Sequence, residues 1–200
     1  MNRRGLFSDF NAQTITYQID KEGGTSISNF LNENVRLSLL EELKHLKFTK
    51  QPEKFGNYAV EQAFSAIASF GDSSIFQEIE NELQEFLEIK FLTCDPYPLQ
   101  SKLLFSDIAV QRYPPGQVGI SAHRDGKSFI NLVAVIVLEG RSRFCFCDNR
   151  AGLNTRPIHN EAGSLILMRA VGFLGKDIQP FHFVDQITEQ RTTFALRQKR

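Results

Sequence analysis

The chain has 200 residues, 23 basic against 23 acidic side chains and a hydrophobic share of 42%. That is enough for one sizeable core, and the balanced charge excludes a strongly basic nucleic-acid-binding protein. Three cysteines, odd in number, exclude a disulfide framework and fit a reducing compartment.

The opening Met1-Asn2-Arg3-Arg4 is followed by no apolar run, and no stretch is long enough to span a membrane. A cytoplasmic, monomeric protein of one domain, residues 1–200, with no membrane contact is expected. Charge is split along the chain. Residues 1–100 carry 9 basic and 15 acidic residues, a balance of −6, and residues 101–200 carry 14 and 8, a balance of +6. The basic half suits an anionic substrate or cosubstrate, or arginines lining a pocket. Eighteen Phe, four Tyr and no Trp predict a Phe-lined core or pocket.

Residues 1–27 are polar, broken by Gly23-Gly24, and read as an extended lead-in with a short strand at Thr14–Ile19. From Ser28 the apolar residues Phe30, Leu31, Val35, Leu37, Leu39, Leu40, Leu43 and Leu46 recur at near-helical spacing, with Ser28 or Asn32 as cap. Gln51–Tyr58 reads as a loop. A second helix is predicted from about Ser74 to Ile89, with Ile75, Ile79, Leu83, Phe86 and Leu87 as one stripe. Residues 1–95 thus form a helical support.

After Pro96-Tyr97-Pro98 the texture changes to short strands. These are Leu104–Tyr113, Gly119–His123, Leu132–Leu138, Arg143–Cys147, Ser164–Met168, Phe181–Ile187 and Thr192–Leu196. Closely spaced strands of this kind predict a β sandwich or barrel over residues 100–198. In Arg143–Cys147 the thiols of Cys145 and Cys147 share a strand face. A zinc site wants two such pairs, so these read as packed thiols.

The chemistry collects in the second half. His123 and Asp125 lie two apart, and on extended backbone alternate side chains leave the same face. A third ligand is available in His182, 59 residues on. Two histidines and a carboxylate with open positions are the ligand set of non-haem Fe(II) oxygenases. His159 is the rival third ligand, and His45 reads as a surface residue on a helix. In the last strand Arg191, Thr193, Ala195 and Arg197 share one face, and Phe194 and Leu196 the other. The two arginines stand roughly 20 Å apart along the backbone and can lean inward on a short dicarboxylate, whose oxygens match the planar guanidinium fork.

This order of His-x-Asp, His and Arg-x5-Arg resembles the 2-oxoglutarate- and Fe(II)-dependent dioxygenases. Within them, Arg112-Tyr113-Pro114-Pro115-Gly116 ahead of His123 looks AlkB-like. The resemblance covers roughly residues 100–198. It implies an α+β, mainly β fold: a double-stranded β-helix core of jelly-roll or cupin-like form, flanked by N-terminal helices. It implies Fe(II) held by His123, Asp125 and His182, with O2 and 2-oxoglutarate as cosubstrates. Arg191, helped by Tyr113, would hold the far carboxylate of 2-oxoglutarate, and Arg197 would sit near the chelating end. Gln111 stands where relatives often have Asn, and the stretch from Tyr113 to His123 is one residue longer than the familiar pattern. The carboxylate at Asp125 fits hydroxylation or oxidative demethylation. The prime substrate is a small molecule, a protein side chain or an alkylated nucleic acid. A non-catalytic binding module on the same β scaffold is the reading from another class.

Overall fold

A computed structural model describes residues 5–56, 60–71 and 74–200. In chain order the elements are α1 (Ala12–Glu22), β1 (Gly24–Ile27), α2 (Glu33–Leu43), β2 (Thr49–Lys50), β3 (Lys54–Phe55), β4 (Val60–Glu61), β5 (Ser65–Ile67) and α3 (Ile75–Phe91). Then come β6 (Asp107–Tyr113), β7 (Ile120–His123), β8 (Phe129–Glu139), β9 (Arg143–Cys147), β10 (Arg156–Ile158), β11 (Leu165–Arg169), β12 (Phe181–Asp185) and β13 (Arg191–Lys199).

The lead-in is a helix where the sequence suggested a strand. Asn11 Oδ1 accepts from Thr14 N at 2.9 Å and starts α1. Gly23, at φ 91°, ends it with its N–H donating to Ile19 O. Ala12, Ile15, Thr16 and Ile19 form the buried stripe between those caps. Thr14–Ile19 carries alternation weakly and helical spacing well, and the caps decide the matter. The next helix starts later than its apolar pattern. Asn32 caps α2, while Phe30 and Leu31 are buried ahead of it as irregular backbone. Ser74 caps α3 through Phe76 N, and the Glu42 carboxylate also bonds Ile75 N. Of the predicted loop Gln51–Tyr58, residues 54–55 pair with 60–61 as a small hairpin, and Tyr58 lies outside the described residues.

Seven strands form one sheet in the order β1-β11-β8-β13-β6-β5-β2, and four form a second in the order β10-β9-β12-β7. The central strands of the larger sheet are buried on both faces. Along β8, Leu132, Ala134, Ile136 and Leu138 pack with the helices. Val133, Val135 and Val137 pack between the sheets against Phe144, Phe146, Met168 and Val184. The period of two therefore sorts one strand into two cores. The same sorting puts Phe194 and Leu196 of β13 in the helix-side core and Ala195 in the inter-sheet core. Neither face of that strand is left to water. The fold is a mainly antiparallel, double-stranded β-helix with N-terminal helices packed on one face.

The smaller sheet holds the two halves of the ligand motif in register. His182 on β12 is the direct cross-strand partner of His123 on β7. Gly119 sits just ahead of β7, and a Cβ there would lie 2.1 Å from the carbonyl oxygen of Val184. Backbone cannot yield as a flexible side chain can. Gly119→Ala should therefore push β7 from β12, lowering the melting temperature by several degrees. Thermal unfolding followed by circular dichroism checks this, and an unchanged melting temperature would contradict the close approach.

Candidate active site

His123, Asp125, His182, Gln111, Tyr113, Arg191 and Arg197 all line one cavity of 220 Å³ between the two sheets. The imidazole centroids of His123 and His182 are 4.4 Å apart. His182 Nε2 stands 3.7 Å from Asp125 Oδ2. All seven residues that the sequence singled out are thus gathered. The rival His159 is exposed, 3.9 Å from Glu161, and does not line the cavity. His45 is exposed as expected.

The backbone sets the tautomer of both rings. His123 Nδ1 lies 2.8 Å from Ser121 O, and His182 Nδ1 lies 3.3 Å from Pro180 O. A carbonyl oxygen only accepts, so each Nδ1 carries the proton and donates. In a neutral ring this leaves the Nε2 lone pair free for a metal, the second-shell arrangement common around bound ions. Burial, and then the neighbouring His182, pushes the His123 pKa down to about 3. Burial also holds His182 below the ordinary imidazole value. Burial pushes Asp125 up, but other causes, the charge of Arg197 first among them, outweigh it and hold the carboxyl below its ordinary value.

Both imidazoles bind fewer protons folded than unfolded. The stability that His123 contributes is fully present above the ordinary imidazole value of 6.5 and is lost as the pH falls toward about 3, and His182 adds to it in the same direction. The slope is about 1.4 kcal/mol per pH unit for each ring. Metal-free protein should therefore lose stability between pH 6.5 and 5, where most carboxylates stay ionised. Urea unfolding of wild type and His123→Gln across that window checks it, the variant giving the shallower slope. Equal slopes would place the protonation elsewhere.

Arg191 is the other unusual group. It is 2% exposed, and its Nε and Nη2 have no hydrogen-bond partner among the described residues. Its guanidinium carbon lies 5.3 Å from the Tyr113 ring centroid, across from Tyr113 in the strand pairing. The Tyr113 hydroxyl donates to Gln111 Oε1 at 3.3 Å. Burial holds the Tyr113 phenol protonated, a donor facing the cavity. A buried, unpartnered guanidinium beside a phenol is a ready receptor for a carboxylate.

Arg197 behaves differently. Its Nε is 3.3 Å from Asp125 Oδ1, and its Nη1 is 3.5 Å from Asp107. No group of three His, Cys, Asp or Glu side chains among the described residues is already spaced to close on an ion. At this site Asp125 Oδ1 faces Arg197 Nε at 3.3 Å, while its Oδ2 stands 3.7 Å from His182 Nε2. Donor types, free Nε2 lone pairs and neutral rings fit Fe(II), and the unpartnered Arg191 fits the far carboxylate of 2-oxoglutarate.

Sequence reasoning missed the walls. Phe129, Val135, Phe144, Met168 and Val184 line the cavity, and Phe144 stacks on His182 at 5.7 Å and 7°. Alternation along β9 was the available signal for Phe144, since it faces opposite to Cys145. Phe55, from the β3–β4 hairpin, stands edge-on to His123 at 6.5 Å, and nothing local in the sequence foretold it. In the loop after Tyr113, Val118 projects into solvent.

No family model matches the chain, and no curated relative does. Among solved structures it is similar to a Pseudomonas putida prolyl-4-hydroxylase. The TM-score is 0.66 and the identity 14%, over 94% of this chain and 99% of the other. A 2OG-Fe(II) oxygenase family oxidoreductase from Burkholderia pseudomallei aligns at TM-score 0.66 and 12% identity, over 96% and 92%. HygX from Streptomyces hygroscopicus, with nickel and 2-oxoglutarate bound, aligns at TM-score 0.63 and 12% identity, over 95% and 87%. The chain therefore has the double-stranded β-helix fold of the 2-oxoglutarate/Fe(II) oxygenases.

Proposed function

We propose that the protein is a 2-oxoglutarate- and Fe(II)-dependent dioxygenase that hydroxylates or oxidatively demethylates an organic substrate. The observation that carries this reading is the buried, unpartnered Arg191 guanidinium in the same cavity as His123, Asp125 and His182. A purely structural site has no use for an uncompensated buried cation.

In this reading His123, Asp125 and His182 hold the iron. Arg191 and the Tyr113 hydroxyl hold the far carboxylate of 2-oxoglutarate. Arg197 steadies Asp125 and borders the chelating end. Bound Fe(II) would supply the oxygen chemistry that couples decarboxylation of 2-oxoglutarate to succinate with oxidation of a C–H bond. Val135, Phe144, Met168 and Val184 give that space an apolar wall. The AlkB-like assignment is supported by Arg112-Tyr113-Pro114-Pro115-Gly116 and by Arg191 and Arg197. Three free, buried thiols suit the expected reducing, cytoplasmic setting. Among the described residues no helix is long and apolar enough to cross a membrane.

The test is succinate release from 2-oxoglutarate with added Fe(II). Wild type is expected to turn over slowly without a prime substrate. A protein that neither binds Fe(II) nor releases succinate would be a binding module on this scaffold.

A further inference from the structure

The 220 Å³ cavity is below the roughly 300 Å³ at which drug-sized ligands begin to fit, and the cosubstrate would take part of it. On the oxygenase reading, most of a prime substrate must stay outside, and the rim decides what it meets. Arg124 lies between the two candidate ligands in sequence, is exposed and borders the cavity. Its guanidinium carbon sits 4.1 Å from the centroid of Phe181, the residue before His182. Arg150 stands over the same ring at 5.6 Å. The platform orients Arg124 and leaves the edges of its fork for a ligand.

The surroundings add the positive charge of Arg150 and Arg169. Arg169 spends its donors on the carbonyls of Ile19, Asp20 and Ile178. Burial, and after it the charge of Arg124, hold the Arg169 pKa below its ordinary value against the pull of Asp20. Arg124 has no ion pair among the described residues, and four aspartates of this half of the molecule and of α1 are paired with other cations. Asp20 is paired with Lys176, Asp125 with Arg197, Asp148 with Arg156 and Asp185 with Arg143. We propose that Arg124, set on Phe181, anchors an oxyanion of the prime substrate, which therefore carries a carboxylate or a phosphate apart from the carbon that is oxidised. This rests on the oxygenase reading of the cavity beside it.

The experiment is calorimetric titration of acetate and, separately, methyl phosphate into the full chain. Fe(II) and saturating 2-oxoglutarate are present under anaerobic conditions, so that Arg191 and Arg197 are blocked. Wild type should bind at least one anion at millimolar strength, and the preferred anion separates carboxylate from phosphate. Arg124→Ala should weaken binding at least tenfold. Phe181→Leu keeps every charge but loses the platform, and should weaken it several-fold. Arg124→Lys, which retains the charge and a foldable side chain, should fall between wild type and Arg124→Ala. No binding of either anion, or equal binding in all four proteins, would overturn the proposal. Succinate release from the same wild-type preparation reports separately on the oxygenase reading, because the difference between wild type and Arg124→Ala is read in the titration alone.

Discussion

Replacing His182 by alanine should abolish Fe(II)-dependent succinate release while leaving the protein folded. The ring sits directly across from His123, with its Nε2 facing Asp125 at 3.7 Å. Removing it leaves one imidazole and one carboxylate, too few donors to hold the ion. Loss of mere outer-sphere support around a metal costs 10–100-fold in affinity, so loss of a ligand should exceed about 100-fold. The stacking of His182 on Phe144 is lost too, at a cost of about 1 kcal/mol, which a folded domain tolerates. Anaerobic calorimetry with Fe(II) measures the binding, and circular dichroism the fold. His159→Ala is the matched control: its ring is exposed and should be silent in both assays. Equal Fe(II) affinity in wild type and His182→Ala would refute the ligand set.

Arg191→Met should move stability and cosubstrate affinity in opposite directions. The guanidinium is buried, and burial holds its pKa below the ordinary arginine value against a weaker opposing pull from Tyr113. Methionine has a similar length and no desolvation penalty, so the cosubstrate-free protein should gain about 1–3 kcal/mol. With 2-oxoglutarate the sign reverses. Two charge-assisted hydrogen bonds to the far carboxylate are worth about 3 kcal/mol or more, so KM for 2-oxoglutarate should rise roughly 100-fold. At 100 times its dissociation constant, 2-oxoglutarate should stabilise wild type by about 2.7 kcal/mol and the variant hardly at all. Thermal melts with and without 2-oxoglutarate, beside a KM determination, read both effects. An unchanged KM would remove Arg191 from the cosubstrate site.

Local chemistry carries through from sequence to fold where it is repetitive. The stripe Ile75, Ile79, Leu83, Leu87 and the alternation in β8, β9 and β13 each follow from one period. The spacing of His123 and Asp125 puts both on one face for the same reason. Where periods were short or ambiguous, local reading gave the wrong element. Thr14–Ile19 became helix because Asn11 and Gly23 cap it, and β10 went unnoticed because three residues carry no period.

The amino-acid order by itself determined the identities of the candidate donors, the face each shares within its strand and the mainly β character of the second half. Tertiary structure alone decided that His123 and His182 are cross-strand partners, that the arginine face of β13 looks into the cavity between the sheets, and that Asp125 leans on Arg197. The physical reason is range. Backbone periodicity is set within a few residues, whereas pairing across dozens of residues is set by which apolar faces can be buried together.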